Sequence, residues 1–438
     1  MTYLDTDKQT CIDLSITDGV QDEQALSSLF LKTETKQGKS LMMEWIMYPL
    51  SDWEMICKRQ KLIAWDTLPE LPLNEEELDF IEYYLSYRDQ IREANVIMSC
   101  ATIIDRLVRY DSQRYVICRG VKLIVRMLHH LETWITELQE NAPRLWKDSI
   151  NLVQDTLHGS ELESVLQQTS DKDDRFSNYV IDKYDYLFRC TRLLSLKELL
   201  SVIYMLDVCR TAHRIAKEKN LCCIPEVVWS MDFSVEGMVH PFVKNAQENS
   251  WEMSQGNICL FTGSNMAGKS TTLKALALAV WLAHCGLPVP VKSMVCPLYE
   301  GMYTSINLPD SLRDGRSHFM AEILRIKEVL EKAGKGKRCL VVLDEMFRGT
   351  NAKDAFEASV AVNEILKDFA NCHFLVSTHI LEYAKAFERD SSCCFYYMEA
   401  EIKEDCFVCP HRLQKGISEA RVGYWLVKKL LNLHELDS

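Results

Sequence analysis

The run Thr262-Gly263-Ser264-Asn265-Met266-Ala267-Gly268-Lys269-Ser270-Thr271 narrows the choice of fold more than any other part of the chain. It fits G-x-x-x-x-G-K-[ST], a loop that joins a strand to a helix and cradles phosphate. Before it, the apolar stretch Asn257 to Phe261 reads as a buried strand. After it, Thr271 to His284 is rich in strong helix formers and reaches Gly286, a residue suited to a helix stop. The glycines let backbone N–H groups converge on phosphate oxygens at a helix N-terminus, where the dipole favours anions. Gly263 through Thr271 are therefore the candidate nucleotide-binding residues. Lys269 would reach the β- and γ-phosphates of ATP, and the Ser270 hydroxyl would hold Mg²⁺.

The partners of such a loop follow in order. Cys339 to Leu343 is an apolar strand ending in Asp344 and Glu345. Asp344 would lie close to the Mg²⁺ ion, and Glu345 would polarise an attacking water. A further strand, Cys372 to Thr378, leads into His379, whose imidazole would bond the γ-phosphate and report its loss. Between the two carboxylates and the loop lies Asp310 to Glu322, polar and glycine-containing, opening a helix marked by Phe319, Ile323, Ile326 and Leu330. Ser317 sits near its cap, so this helix start is a second place for phosphate. One chain cannot easily bring both loops to one γ-phosphate, whereas a dimer with the nucleotide between subunits can.

These motifs resemble those of the MutS family, the DNA mismatch repair branch of the ABC-type P-loop proteins. The family's T-G-P-N-M-x-G-K-S-T is similar to Thr262–Thr271, with Ser264 in place of proline and Ala267 in place of glycine. Its D-x-L-x-x-G-R-S-T-F-x-x-E resembles Asp310–Glu322, with His318 for threonine, and its D-E-x-x-R-G-T-S resembles Asp344 to Asn351, with Asn351 for serine. The T-H pair is Thr378-His379. Upstream, Gly38 to Trp45, Pro49 to Asp52 and Arg59-Gln60 resemble the start of the family's helical core. Asp207 to Pro225 resembles its close, and His240-Pro241 the entry to the ATPase domain. Leu413 to Gly416 and Gly423 resemble, more weakly, the dimer-contacting C-terminal segment.

The resemblance implies two domains of the α + α/β class. Residues 1–235 would form an all-helical core and lever domain, and 236–438 an ABC-type P-loop NTPase domain with a central, mostly parallel sheet and a dimerisation segment. It implies an ATPase using ATP and Mg²⁺ in a homodimer, with Glu345, His379 and the other subunit's Ser317 as the catalytic residues. Such a protein would gate its grip on mismatched or structured double-stranded DNA. The chain opens at the core domain, so the mismatch-reading and connector domains are expected to be absent, and an unidentified partner could supply them.

The N-terminal half reads as helical. Asn74 caps Glu75-Glu76-Glu77 at the start of a helix running to about Ala94. A second has apolar residues from Ile117 to Leu138 and is closed by Asn141 and Pro143, with another following to Leu157. Gly159 and the polar stretch Thr169 to Ser177 mark a turn, and a long helical stretch then spans Tyr179 to Lys219, broken near Thr191. Such antiparallel arms suit levers, and a plain helical bundle is the alternative.

Composition matters most for DNA. The 438 residues carry a net charge of −13, which repels a phosphate backbone unless positive charge is concentrated. Arg106 to Arg126 holds six basic residues against Asp111 alone. Within it Arg119, Lys122 and Arg126 recur at helical spacing opposite the apolar stripe, with no aromatic residues interleaved, and are the candidate nucleic-acid contacts. An ATP-dependent switch in a protein assembly, without a grip on DNA, is the second reading. No apolar run is long enough for a membrane span and no secretory signal opens the chain, so a cytoplasmic location is expected. The 17 cysteines then read as reduced core thiols. Cys393–Ala400 and Cys406–Leu413 read as a hairpin that puts Cys406 and Cys409 on opposite faces, which disfavours zinc at Cys406, Cys409 and His411.

Overall fold

The computed structural model describes residues 2–17, 25–87, 112–138, 142–170, 175–264, 267–306, 318–334, 336–403 and 406–418. The first part of the chain is helical: α1 (Lys8–Asp13), α2 (Leu26–Phe30), α3 (Lys36–Met47), α4 (Trp53–Ile63), α5 (Glu75–Ser86) and α6 (Ser112–Leu138). It continues through α7 (Arg144–Leu157), α8 (Glu161–Gln168), α9 (Asn178–Tyr186), a π-helical turn at Leu187–Thr191 and α10 (Leu193–Lys219). Strands then dominate: β1 (Glu226–Val228), β2 (Phe233–Met238), β3 (Asn249–Met253), β4 (Ile258–Thr262), α11 (Lys269–Cys285), β5 (Ser293–Pro297) and β6 (Gly301–Ser305). There follow α12 (His318–Ala333), β7 (Cys339–Asp344), α13 (Ala352–Leu366), β8 (Cys372–Ser377), α14 (Leu381–Ala386) and β9 (Cys393–Met398). Three short strands, β10 (Glu401–Lys403), β11 (Cys406–Val408) and β12 (Leu413–Lys415), complete the described chain.

The chain divides into two compact units, one of residues 1–29, 45–60 and 215–438, the other of 30–44 and 61–214. The first is built on a six-stranded sheet ordered β12-β9-β4-β8-β7-β6. Strands β9, β4, β8, β7 and β6 are parallel, and β12 runs antiparallel to β9. Every residue of β4 and β8 is buried, which explains why both read as unbroken apolar runs: a parallel sheet is covered on both faces. The expected long hairpin is interrupted. Leu413 pairs with Met398 across β12 and β9, while β10 and β11 form their own small ribbon. A second sheet, ordered β1-β5-β2-β3, belongs to the same unit.

Past its first turn helix α11 is enclosed: Leu273 and every residue from Ala275 to Cys285 are buried. Its far end is held by residues from well upstream. The Trp281 indole donates to the Ile46 carbonyl at 2.9 Å, and the Arg59 guanidinium donates to the Cys285 carbonyl at 2.9 Å while lying 4.2 Å from the Trp45 ring centroid. A cation at a helix C-terminus satisfies orphan carbonyls and complements the dipole. Gly286 stops the helix in the left-handed region at φ 71°, and a Cβ there would come within 2.6 Å of Arg59 Cβ.

The N-terminal segment covers the outer edge of the large sheet at β6. Asp5 N–H donates to the Glu300 carbonyl and Met302 N–H to the Asp5 carbonyl, both at 2.8 Å. Asp13 accepts from the Thr304 hydroxyl at 2.6 Å and from Ile306 N–H at 2.9 Å, and Asp7 pairs with Arg325 at 2.7 Å. An open strand edge invites pairing with other chains, and this segment blunts it.

The other unit is helical. The expected cap is a full capping box: Glu77 N–H donates to Asn74 at 3.0 Å, and Asn74 N–H donates to the Glu77 carboxylate at 3.2 Å. The first helix was expected to run on to about Ala94, but residues 88–111 lie outside the described residues. The break near Thr191 is the π-helical turn, over which the Arg189 Nε donates to Asp185 at 2.6 Å. Tyr84 also donates to that carboxylate, at 2.7 Å. Asp207 is buried and accepts from Thr35 N–H at 2.8 Å and Glu34 N–H at 2.9 Å. Gly38 is needed because a Cβ there would meet Asp207 Oδ2 at 2.3 Å. Among the described residues no helix is long and apolar enough to cross a membrane.

Two buried histidines in the sheet-bearing unit make its stability depend on pH. His284 is bonded to the Leu50 carbonyl at 2.7 Å and His373 to the Tyr299 hydroxyl at 2.7 Å; burial pushes both from the ordinary 6.5 down to about 4. The unfolded chain then binds more protons than the folded one between pH 6.5 and about 4. Stability is expected to be level above that window and to fall as pH drops through it, by on the order of 3 kcal/mol per histidine at its lower end. Thermal midpoints from neutral pH to pH ~5 check this; a His284→Gln variant should show a shallower decline.

Candidate functional site

The phosphate loop begins where β4 ends. Gly263 and Gly268 have φ of 130° and 104°, values that side chains other than hydrogen resist. Between them the Ala267 N–H donates to the Ser264 carbonyl at 3.1 Å, and Thr272 N–H donates to Gly268 at 2.9 Å as α11 starts. Lys269 is the first residue of that helix and is 2% exposed. Its ammonium donates to the Gly263 carbonyl at 2.8 Å and the Ser264 carbonyl at 3.0 Å, and lies 3.6 Å from Glu345 Oε1. Burial pulls this ammonium below the ordinary lysine range, and the carboxylates of Glu345 and Asp344 oppose the shift. Ser264 Oγ is enclosed and has no hydrogen-bond partner among the described residues.

The acidic side of the site hangs on the register of β7 against β8, which sets Asp344 opposite Ser377. The Ser377 hydroxyl donates to Asp344 Oδ1 and accepts the Glu345 N–H at 3.0 Å. Glu345 itself is held at φ 47°, a left-handed conformation that costs a non-glycine residue energy and is found mostly where structure over-determines it. It is 7% exposed, and its second oxygen lies 3.0 Å from Arg348 Nε. His379 follows β8 and is exposed. Lys269, Asp344, Ser377 and Glu345 thus gather at the carboxyl ends of adjacent parallel strands, the usual place for ligands in such sheets. Ser377 was not expected; nothing distinguishes it in sequence from any serine ending a strand.

A cavity of about 490 Å³ opens beside the helix start, lined by His240, Asn245, Lys269, Ser270, Met398 and His411. That volume suits a nucleoside-sized ligand. Its rim is built: the His411 ring bonds the Ala267 carbonyl at 3.0 Å, and Asn249 donates to the His411 carbonyl at 2.9 Å and accepts from Leu413 N–H at 2.7 Å. His411, weighed in the sequence as a metal ligand, is a wall of this cavity. Burial, with help from Lys274, lowers the pKa of His240.

Residues 259–433 match the sequence model of the family described as MutS domain V. Over these residues the chain is similar to the ATPase domain of the MutS family. The chain is 30% identical over 306 residues to a DNA mismatch repair protein MutS of Bradyrhizobium sp. (strain ORS 278), covering 63% of this chain and 33% of that protein. A MutS of Rhodopseudomonas palustris (strain HaA2) is 27% identical over 339 residues, or 72% of this chain and 36% of its own length. Over a shorter span of 189 residues, MutS of Granulibacter bethesdensis is 35% identical, with 41% of this chain and 20% of that protein covered. The chain therefore spans about a third or less of the curated relatives it matches.

Of the residues expected in this MutS-type site, Asn265, Met266 and Ser317 lie outside the described residues, and Thr271 is exposed. Arg119, Lys122 and Arg126 are half-buried in the helical unit. Arg126 is ion-paired with Glu77 of α5, and the Arg119 guanidinium lies 4.5 Å from the Phe80 ring centroid. The expectation that no aromatics interleave with the stripe is corrected here: Arg119 also donates to the Tyr115 hydroxyl at 2.9 Å. Helical spacing placed these residues on one face of α6, but could not show that α5 packs across it.

Ser377 supplies a test of the acidic side. Ser377→Ala removes the only side-chain donor to Asp344 among the described residues and one acceptor for the Glu345 amide. Mg-ATP affinity, read with a fluorescent ATP analogue, should weaken about tenfold. Unchanged affinity would mean that the hydroxyl does not position Asp344.

Proposed function

We propose that this protein is a MutS-like ATPase that hydrolyses ATP between two copies of the chain and uses it to gate binding to mismatched or structured DNA. The observation that supports hydrolysis best is the buried Lys269 ammonium, held by loop carbonyls and close to Glu345. Phosphate oxygens would replace those carbonyls as its partners, and the glycine-rich backbone would add N–H donors at the start of α11. The hydroxyl of Ser270 and the carboxylate of Asp344 are hard oxygen donors fit for Mg²⁺, which when bound would offset the phosphate charge.

Glu345 takes a proton from the attacking water in this reading, and its strained backbone fixes the carboxylate in place beside Lys269. The exposed His379 acts as sensor of the γ-phosphate. Ser317 of a second copy completes the site, so that nucleotide state sets how two copies meet. The relatives' printed name, DNA mismatch repair protein, supports DNA as the ligand being gated.

The second reading, a switch in a protein assembly, draws on a specific observation: Arg126 is already neutralised by Glu77, and the chain as a whole is acidic, with net charge −13. Fluorescence anisotropy with homoduplex, mismatched and branched DNA decides between them. Each titration is run with ADP and with a non-hydrolysable ATP analogue at low and moderate salt. Nucleotide-dependent binding that weakens steeply with salt is the expected result. An active ATPase that binds none of these DNAs at low salt would leave only the protein switch.

Glu345→Gln tests the chemistry separately. ATP binding should persist while kcat falls by about a hundredfold or more. Turnover near the wild-type rate would remove Glu345 from its role as base.

A further inference from the structure

Helices α5 and α6 share a surface of aromatic rings that the nucleotide chemistry leaves unused. Phe80 and Tyr83 lie one turn apart on α5, Tyr87 follows as the residue that caps its end, and Tyr115 reaches the same surface from α6. Ring centroids are 6.1 Å apart for Phe80 and Tyr83, 5.7 Å for Tyr83 and Tyr87, and 6.4 Å for Phe80 and Tyr115. The rings are not packed away. Tyr83 is 52% exposed and Tyr115 57%.

Arg119 runs through this group, 4.5 Å from the centroid of Phe80 and 6.0 Å from that of Tyr115. Among the described residues no carboxylate is ion-paired with it. The acids of α5 that could neutralise it are engaged elsewhere: Glu77 with Arg126, Asp79 with Lys36, and Glu82 as acceptor of the Tyr204 hydroxyl at 2.8 Å. A guanidinium stacked on rings keeps its full charge and its in-plane donors, and it holds those rings in a fixed plane.

Open aromatic faces beside an unmatched guanidinium recognise a ligand that is flat and apolar on one part and anionic on another. Unpaired nucleotides have that chemistry: a base stacks on a ring, and its phosphate meets the cation. A paired duplex offers the phosphate without the free base face. We propose that this surface binds a single-stranded or unpaired stretch of DNA, with Tyr83 and Tyr115 as stacking platforms and Arg119 as the phosphate contact. The inference rests on the DNA-binding reading given above and narrows it to DNA with exposed bases.

The test uses the full chain and fluorescein-labelled oligothymidylate, with a blunt duplex and a duplex carrying an internal loop as comparisons. Oligothymidylate and looped duplex should bind more tightly than blunt duplex. The double variant Tyr83→Ala, Tyr115→Ala should lose binding to both by about tenfold or more, while Tyr83→Phe, Tyr115→Phe, which keeps the rings, should stay within about twofold of wild type. Thermal midpoints equal to wild type would show that both variants are folded. Unchanged affinity in the alanine variant, or an equal loss in the phenylalanine variant, overturns the stacking surface. If those results come with intact duplex binding, only this inference fails; if wild type binds none of the three DNAs, the DNA reading fails with it.

Discussion

A lysine ammonium buried at the first residue of a helix is unfavourable on two counts, because it loses hydration and sits at the positive end of the dipole. Lys269 is tolerated there only because the loop turns its own carbonyls inward, at Gly263 and Ser264, and because Glu345 lies 3.6 Å away. Each of those partners constrains something else. The carbonyls require the positive φ of Gly263 and Gly268, and the carboxylate requires Glu345 to hold a left-handed backbone. Strain and buried charge are thus concentrated at one end of β4 and β7. In the reading proposed above, a phosphate would take over the ammonium's bonds.

The rest of the sheet-bearing unit works to keep that end rigid. Helix α11 can point its N-terminus at a fixed spot because its body is buried throughout and its C-terminus is capped by Arg59. The β7–β8 register carries the same precision to the acids, through a single Ser377 side chain that contacts both Asp344 and Glu345. At the outer edge, Asp5, Asp7 and Asp13 secure a segment remote in sequence to β6 and α12.

Much of this was legible in the chain because the signals are local. The apolar runs of β4, β7 and β8 are contiguous, the glycines of the loop sit at fixed spacing, and Asn74 with Glu77 forms a cap within four residues. What was not legible depends on distant pairing. Ser377 is an ordinary residue, and His411 no more than a weighed metal ligand, until the sheet register and the β9–β12 pairing bring them to Asp344 and Ala267. The docking of residues 3–13 on β6 leaves no periodic trace. The short helix α8 was also unread, since eight residues give too little pattern to separate it from the turns on either side. The likeness of 259–433 to MutS domain V points to a family, whereas the arrangement of each side chain had to be built from contacts.

Charge bears most directly on how such a protein could hold DNA. A net charge of −13 rules out attraction by a broad positive field, so any grip must come from local groups. Pairing within the helical unit removes two of the obvious ones: Arg114 is matched by Asp182 and Arg126 by Glu77. Glu77 serves twice, since the same side chain closes the α5 capping box. Freeing Arg126 for a phosphate would therefore unpair an acid and loosen a helix start together, a cost that a single phosphate contact does not readily offset. Arg119 carries no such penalty, because its partners are rings and a hydroxyl that a phosphate need not displace. The balance favours recognition through a few unmatched cations and exposed rings over a basic track along a duplex.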